Sequence, residues 1–207
     1  MSINVEFSTK ELNKIVIENV LNMLSRRKLL KSPTDAIKKL GDDFLNKTIF
    51  EVALDDKTII GSVVSINLVN AKLSSIVQKT PLDDYLSNNV DVHKIIICKD
   101  VAKKVVKQIV SEYKNAEFFF ESEMLEDIPS KVFMPEHQLL QEEERKELFD
   151  KYSEAELARM FLTDMMARYY NAKIGDVFRI IRPSFTAGKN VFYRRVVNGS
   201  WDILFPL

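Results

Sequence analysis

Residues 179–197 read RIIRPSFTAGKNVFYRRVV. Four arginines and a lysine surround a Pro-Ser-Phe-Thr-Ala-Gly turn. β-Branched and aromatic residues fill both flanks, Val177–Arg182 before the turn and Val191–Val197 after it. Two β-rich arms around small turn residues predict a β-hairpin. Its cations admit three readings: a phosphate cradle, a patch that grips nucleic acid, or a turn that docks on another protein.

Upstream, Asp164 or Thr163 can cap a short helix near Asp164–Tyr170. A short linker strand and an acidic helix, Gln141–Tyr152, come before it. Pro129 and Pro135 bracket Lys131–Met134, so a domain break is expected around Ile128–Pro135, dividing the chain into 1–132 and 133–207. The first part starts with a capping-box spacing, Ser8 with Glu11, followed by Leu12, Ile15, Val16, Val20 and Leu24 at helical period. Ser32, Pro33 and Asp35 start a second helix with Ile37, Leu40 and Phe44 as its apolar face. Two β-like segments, 48–54 and 58–69, flank a hairpin-like break at Asp55-Asp56-Lys57, and Thr80-Pro81 starts a short helix. His93–Cys98 reads as a short buried strand through the continuous β-branched run Ile95, Ile96 and Ile97, and Phe118–Phe120 is another continuous apolar run of strand length. Between them Asp100 is expected to cap a helix with a stripe of Val101, Val105, Val106, Ile109 and Val110. The expected fold is α+β overall: an N-terminal α/β domain, then a small α+β domain with a C-terminal β-hairpin.

The composition, 46% apolar and 29% charged over 207 residues, is that of a folded chain. The single cysteine, Cys98, excludes an internal disulfide framework and a thiolate zinc site, and His93 and His137 lack metal spacing. No apolar run approaches the roughly 20 residues that span a bilayer, and the start of the chain does not read as a secretory signal, so an intracellular protein is expected. Net charge is zero but segregated. Residues 112–156 hold fourteen acidic and five basic side chains, a balance of −9, whereas 164–198 hold two and seven, a balance of +5. Such asymmetry suits a protein that meets different surroundings at its two ends.

Neither GxxxxGK[ST] nor GxGxxG occurs, and five scattered glycines do not make a phosphate loop. The residues name no catalytic set. Asp55, Asp56 and Lys57 read better as a turn than as a nuclease centre. Glu142, Glu143 and Glu144 read as a solvated helix face. Lys103, Lys107 and Lys114 lie opposite the valine stripe of their helix, which is first of all a solvated face; Lys103, Lys104 and Lys107, with Lys99 nearby, also read as a phosphate-contacting edge at a helix start.

The C-terminal third resembles a known family. The residues are Asp164-x-x-Ala167-Arg168-Tyr169-Tyr170, then Lys173-x-Gly175-x-Val177-x-Arg179-Ile180-Ile181-Arg182-Pro183-Ser184-x-Thr186-Ala187-Gly188, then Tyr193-Arg194. Pro135-x-His137, the glutamate-rich helix with Leu148, and Leu157-x-Arg159-Met160 precede them in the same order. This pattern is similar to the fifth-subunit family of eukaryotic-type DNA-dependent RNA polymerases, whose archaeal counterpart consists of this part alone. The N-terminal part is similar in layout to the eukaryotic jaw domain.

The resemblance implies a non-catalytic polymerase subunit. Its C-terminal assembly domain would dock on the largest subunit and contact other polymerase subunits; its jaw would lie beside downstream duplex DNA. It implies no cofactor, small-molecule ligand or membrane. Interface residues carried over are Arg168, Tyr169, Arg182, Pro183, Ser184, Phe185, Thr186, Ala187, Gly188, Tyr193 and Arg194. The DNA-proximal candidates are Lys99, Lys103, Lys104 and Lys107. The implied location is the nucleus for a cellular protein, and a virion or cytoplasmic viral factory for a viral one.

The sequence departs from the family at Met165 (usually proline), Ala158 (usually proline) and Phe185 (usually glutamate). It also replaces a Thr-Pro-Ser-Ala string with Lys99-Asp100-Val101-Ala102. Residues 198–207 run past the usual end and are expected either to fold back or to peg into a neighbour. The competing reading is a free-standing nucleic-acid-binding module using the basic hairpin.

Overall fold

The computed structural model describes residues 8–41, 47–55, 61–77, 80–88, 91–184 and 188–205. The fold is mixed α+β, in two compact units spanning 1–126 and 127–207. This division lies ahead of the expected 132/133 break, and Ile128, on the near side of that break, packs against the C-terminal core. No described helix is long and apolar enough to cross a membrane.

The first unit starts with α1 (Thr9–Arg26), where the capping box forms as its spacing predicts. The Ser8 backbone N–H donates to Glu11 Oε2 at 2.7 Å, and Ser8 Oγ accepts from the Glu11 N–H at 3.3 Å. Helix α2 (Pro33–Leu40) is capped by Ser32. Its expected apolar face is only partly realised, since Ala36 is its one buried residue and Phe44 lies outside the described residues.

Strands β1 (Ile49–Ala53), β2 (Val63–Val69), β3 (His93–Cys98) and β4 (Ala116–Phe120) form one sheet in that order. The first pair is antiparallel and the other two are parallel. Helices α3 (Pro81–Ser87) and α4 (Lys103–Glu112) are the two crossovers. Both advance in the same direction across the sheet, so right-handed connection puts them on one face. Tyr113 Oη, donating to Asp83 Oδ1 at 3.1 Å, ties them together. β3 is buried along its whole length, as a strand covered on both faces must be.

Two polar groups in this sheet are closely partnered. Lys94, only 4% exposed, turns its ammonium to the carbonyls of Leu86 (2.7 Å) and Asn88, so it caps the end of α3. On the opposite face the Glu117 carboxylate takes a two-pronged bond from Arg27, at 2.7 and 2.6 Å, and a short contact from His93 Nε2.

Asp100 does not cap α4. The peptide after β3 is held extended instead: the Leu73 N–H donates to the Asp100 carbonyl (3.0 Å), and the Ala102 N–H to the Leu73 carbonyl (2.7 Å). Val101 thereby joins a one-residue parallel bridge with Leu73, and the helix starts at Lys103 behind Ala102, without a side-chain cap. The Asp100 carboxylate pairs with Lys72 at 2.9 Å.

The second unit is a four-stranded sheet, β5–β7–β8–β6. Its strands are β5 (Glu136–Leu139), β6 (Ala158–Phe161), β7 (Val177–Ser184) and β8 (Gly188–Val197), with helices α6 (Glu142–Phe149) and α7 (Met165–Tyr169); a short α5 (Glu121–Met124) ends the first unit. The expected linker strand is β6, an edge strand running parallel to β8. β5 has no apolar alternation to announce it in the sequence; it is a strand because β7 offers it an antiparallel edge. Met160, Met166, Ala167, Phe178, Ile180 and Val196 form the core on one face, and Leu140, Leu148 and Val177 form it on the other.

After β8 the chain turns back over β6. A Cβ added at Gly199 would lie 2.9 Å from the Phe161 Cβ, so only glycine permits this approach. Gly199→Ala is expected to lift the tail at a cost of about 1–3 kcal/mol. Emission of Trp201, the chain's single tryptophan, should shift to the red. Unchanged emission would mean that the tail runs clear of β6.

Candidate functional site

The hairpin read from residues 179–197 is formed by β7 and β8, paired from Val177↔Arg195 to Ser184↔Gly188. Gly188 has φ +69°, a left-handed conformation that favours glycine directly after the turn. Phe185, Thr186 and Ala187 lie outside the described residues, while Pro183, Ser184 and Gly188 stand at the hairpin's end.

Cross-strand partners share a face, so the register divides the four arginines into two sets. Arg179 and Arg195 lie on the face toward α6. Arg179 Nη1 is 3.0 Å from Glu144 Oε1, with its guanidinium 6.0 Å from the Tyr193 ring centre; Arg195 pairs with Glu154. The acidic segment is therefore partly matched to the unit's own basic hairpin. Arg182 and Arg194 lie on the other face and form no ion pair among the described residues. The Arg182 guanidinium stacks 5.5 Å from the ring centre of Phe192, which is 47% exposed.

His137 on β5 lies beside Ile180 on this same face. Its ring meets Phe178 edge-on at 6.1 Å, and its Nδ1 is 2.7 Å from the Pro135 carbonyl. Burial lowers its pKa. The Pro135 carbonyl and Asp164 oppose that shift, while Arg182 and Arg194 add to it.

Two expected interface residues are placed differently. Arg168 is 7% exposed and Tyr169 3%, both on the buried side of α7. Arg168 Nε donates to the Thr163 carbonyl at 3.3 Å, and Tyr169 packs edge-on against Tyr170. Both are buried within the folded unit rather than presented as a surface, and it is Met166 and Ala167 that pack α7 against the sheet core. Asp164 caps this helix, its Oδ1 accepting from the Met166 N–H at 2.8 Å, so Met165 in place of proline leaves the start intact.

In the first unit Lys99, Lys103, Lys104 and Lys107 are all exposed around the start of α4. The first turn of α4 has no acidic residue and no side-chain cap, so its dipole adds to their positive field. Of the Asp55-Asp56-Lys57 set, the Asp55 carboxylate accepts the Lys31 N–H at 2.8 Å, and the other two lie outside the described residues.

A sheet-and-hairpin unit with an open cationic face, joined to an α/β unit with a basic helix start, has the character of an accessory, surface-binding component. Comparison with known proteins is specific. Residues 126–196 match the family model described as RNA polymerase Rpb5, C-terminal domain. The chain is 29% identical over 195 residues to DNA-directed RNA polymerase subunit 5 of Acanthamoeba polyphaga mimivirus, covering 89% of this chain and 91% of that one. It is 36% identical over 110 residues to the Dictyostelium discoideum subunit rpabc1 of DNA-directed RNA polymerases I, II, and III, covering 50% and 56%. Over 68 residues it is 43% identical to subunit Rpo5 of Pyrococcus abyssi, covering 32% of this chain and 83% of that one. The chain belongs to the Rpb5 family: it is a non-catalytic subunit of a multisubunit DNA-directed RNA polymerase.

Proposed function

We propose that the C-terminal unit docks this subunit on the largest polymerase subunit through its hairpin, and that the N-terminal unit serves as a jaw beside downstream duplex DNA. The observation that carries the docking half is the open hairpin face, with Arg182, Arg194 and Phe192 unmatched by the unit's own acidic segment. The DNA half is supported by the exposed lysines around the start of α4, where no first-turn acid or side-chain cap offsets the positive end of the helix dipole. By analogy with the cellular and viral relatives, the subunit would work in the nucleus or in a viral factory.

A tagged chain should retain the two largest polymerase subunits through purification. Recovery free of polymerase chains would refute docking. For the DNA half, Lys103→Glu with Lys104→Glu should lower crosslinking to downstream DNA roughly threefold or more at low salt, with assembly unchanged. Equal crosslinking would remove the lysines from the DNA path.

A further inference from the structure

We infer that the strip of Arg182, Phe192 and Arg194, which borders the buried Phe178, Ile180 and Val196 on the same face of the hairpin, is a receptor for an acidic segment of a polymerase subunit, one with carboxylates flanking an apolar side chain. This rests on the docking reading above and adds the chemistry of the partner. The hairpin's two faces carry the same cation but use it differently. On the α6 face both arginines are neutralised internally, by Glu144 and Glu154. On the other face the carboxylate near His137 is Asp164, which already accepts the Met166 N–H and forms no ion pair with Arg182 or Arg194.

The register places Arg182 beside Asn190 and Arg194 four residues along β8, so the two cations are rooted about 13 Å apart at ~3.3 Å per residue. Phe192 lies midway between them on the same face. Guanidinium groups recognise carboxylates by paired, planar hydrogen bonds, and an exposed ring between them calls for an apolar contact. Two cations and a phenyl ring suit a protein segment better than a duplex, whose affinity grows with the number of phosphates neutralised.

The test uses the full chain co-expressed with the tagged polymerase. Its variants are the Arg182→Gln/Arg194→Gln double variant and Lys189→Gln, which removes an exposed cation from the opposite face. Wild type and Lys189→Gln should be retained alike. The double variant should be retained about tenfold less, and its retention should lose salt dependence. Added poly-L-glutamate should release wild type, and a duplex oligonucleotide should not.

If wild type itself fails to co-purify, the docking reading falls and this inference falls with it. If the double variant is retained like wild type, or poly-L-glutamate releases nothing, docking stands but its acidic chemistry is overturned. If the oligonucleotide releases wild type, or binds the isolated chain through these arginines, the face is a nucleic-acid site and the inference is wrong. The competition arm uses unaltered protein, so it holds even where a variant folds poorly.

Discussion

Glu117→Leu is expected to destabilise the N-terminal unit by about 3–5 kcal/mol, the usual penalty for removing one member of a buried ion pair. Without the carboxylate, the Arg27 guanidinium keeps a site that is only 4% exposed and loses both of its short bonds. It closes α1 at its C-terminal end, so the loss would loosen the helix from the sheet. An Arg27→Met/Glu117→Leu double variant, which removes both charges of the pair, should recover much of the stability. Urea unfolding of the three proteins checks this, and equal midpoints would remove the pair from any structural role.

The same carboxylate sets an acid limit. Burial by itself would raise its pKa, but the Arg27 charge and the His93 and Arg27 hydrogen bonds prevail and hold it down to about 2. A carboxylate whose folded pKa lies below its ordinary 4.5 stabilises the fold fully above that value. The contribution is lost as pH falls from there through about 2. Wild type should therefore lose stability across this window, and the double variant should lose less.

Phe178→Ala is expected to cost the C-terminal unit about 3–5 kcal/mol. The ring is fully buried, with Tyr170 edge-on at 5.8 Å and His137 at 6.1 Å, and Met160, Met166 and Ile180 belong to the same core. A unit of this size has a total stability of roughly 4–12 kcal/mol, so the substitution removes a large share of it. The melting temperature should fall by more than about 10 °C, with reduced incorporation into polymerase as a consequence. Phe178→Leu, which keeps most of the volume, should be much milder. A melt unchanged in the alanine variant would contradict the assigned core.

The hairpin was legible because its signals are local: β-branched arms, small turn residues and the Arg-Pro-Ser-x-Thr-Ala-Gly string. The capping box of α1, the buried strand His93–Cys98 and the helices at Pro33 and Pro81 were legible for the same reason. Arg168 and Tyr169 were not. They came to the interface set through the family resemblance, and local sequence carries no sign of the burial that the folded unit gives them. Asp100 failed as a cap for a similar reason, because the remote Leu73 fixed the peptide on either side of Val101 in an extended form.

The chain by itself determined the fold class, most of the elements and the hairpin, since periodicity, caps and turn chemistry act over a few residues, and its Arg-Pro-Ser-x-Thr-Ala-Gly string carried the family resemblance. Tertiary structure decided which cations are neutralised. Arg179, Arg182, Arg194 and Arg195 are alike in sequence, and a strand's alternation assigns them only to opposite faces. Glu144 and Glu154 reach the hairpin from 35 and 41 residues away, and they reach one face of it. Only the folded sheet, with α6 on one side and α7 on the other, turns a run of like charges into one internally paired set and one set without an ion pair among the described residues.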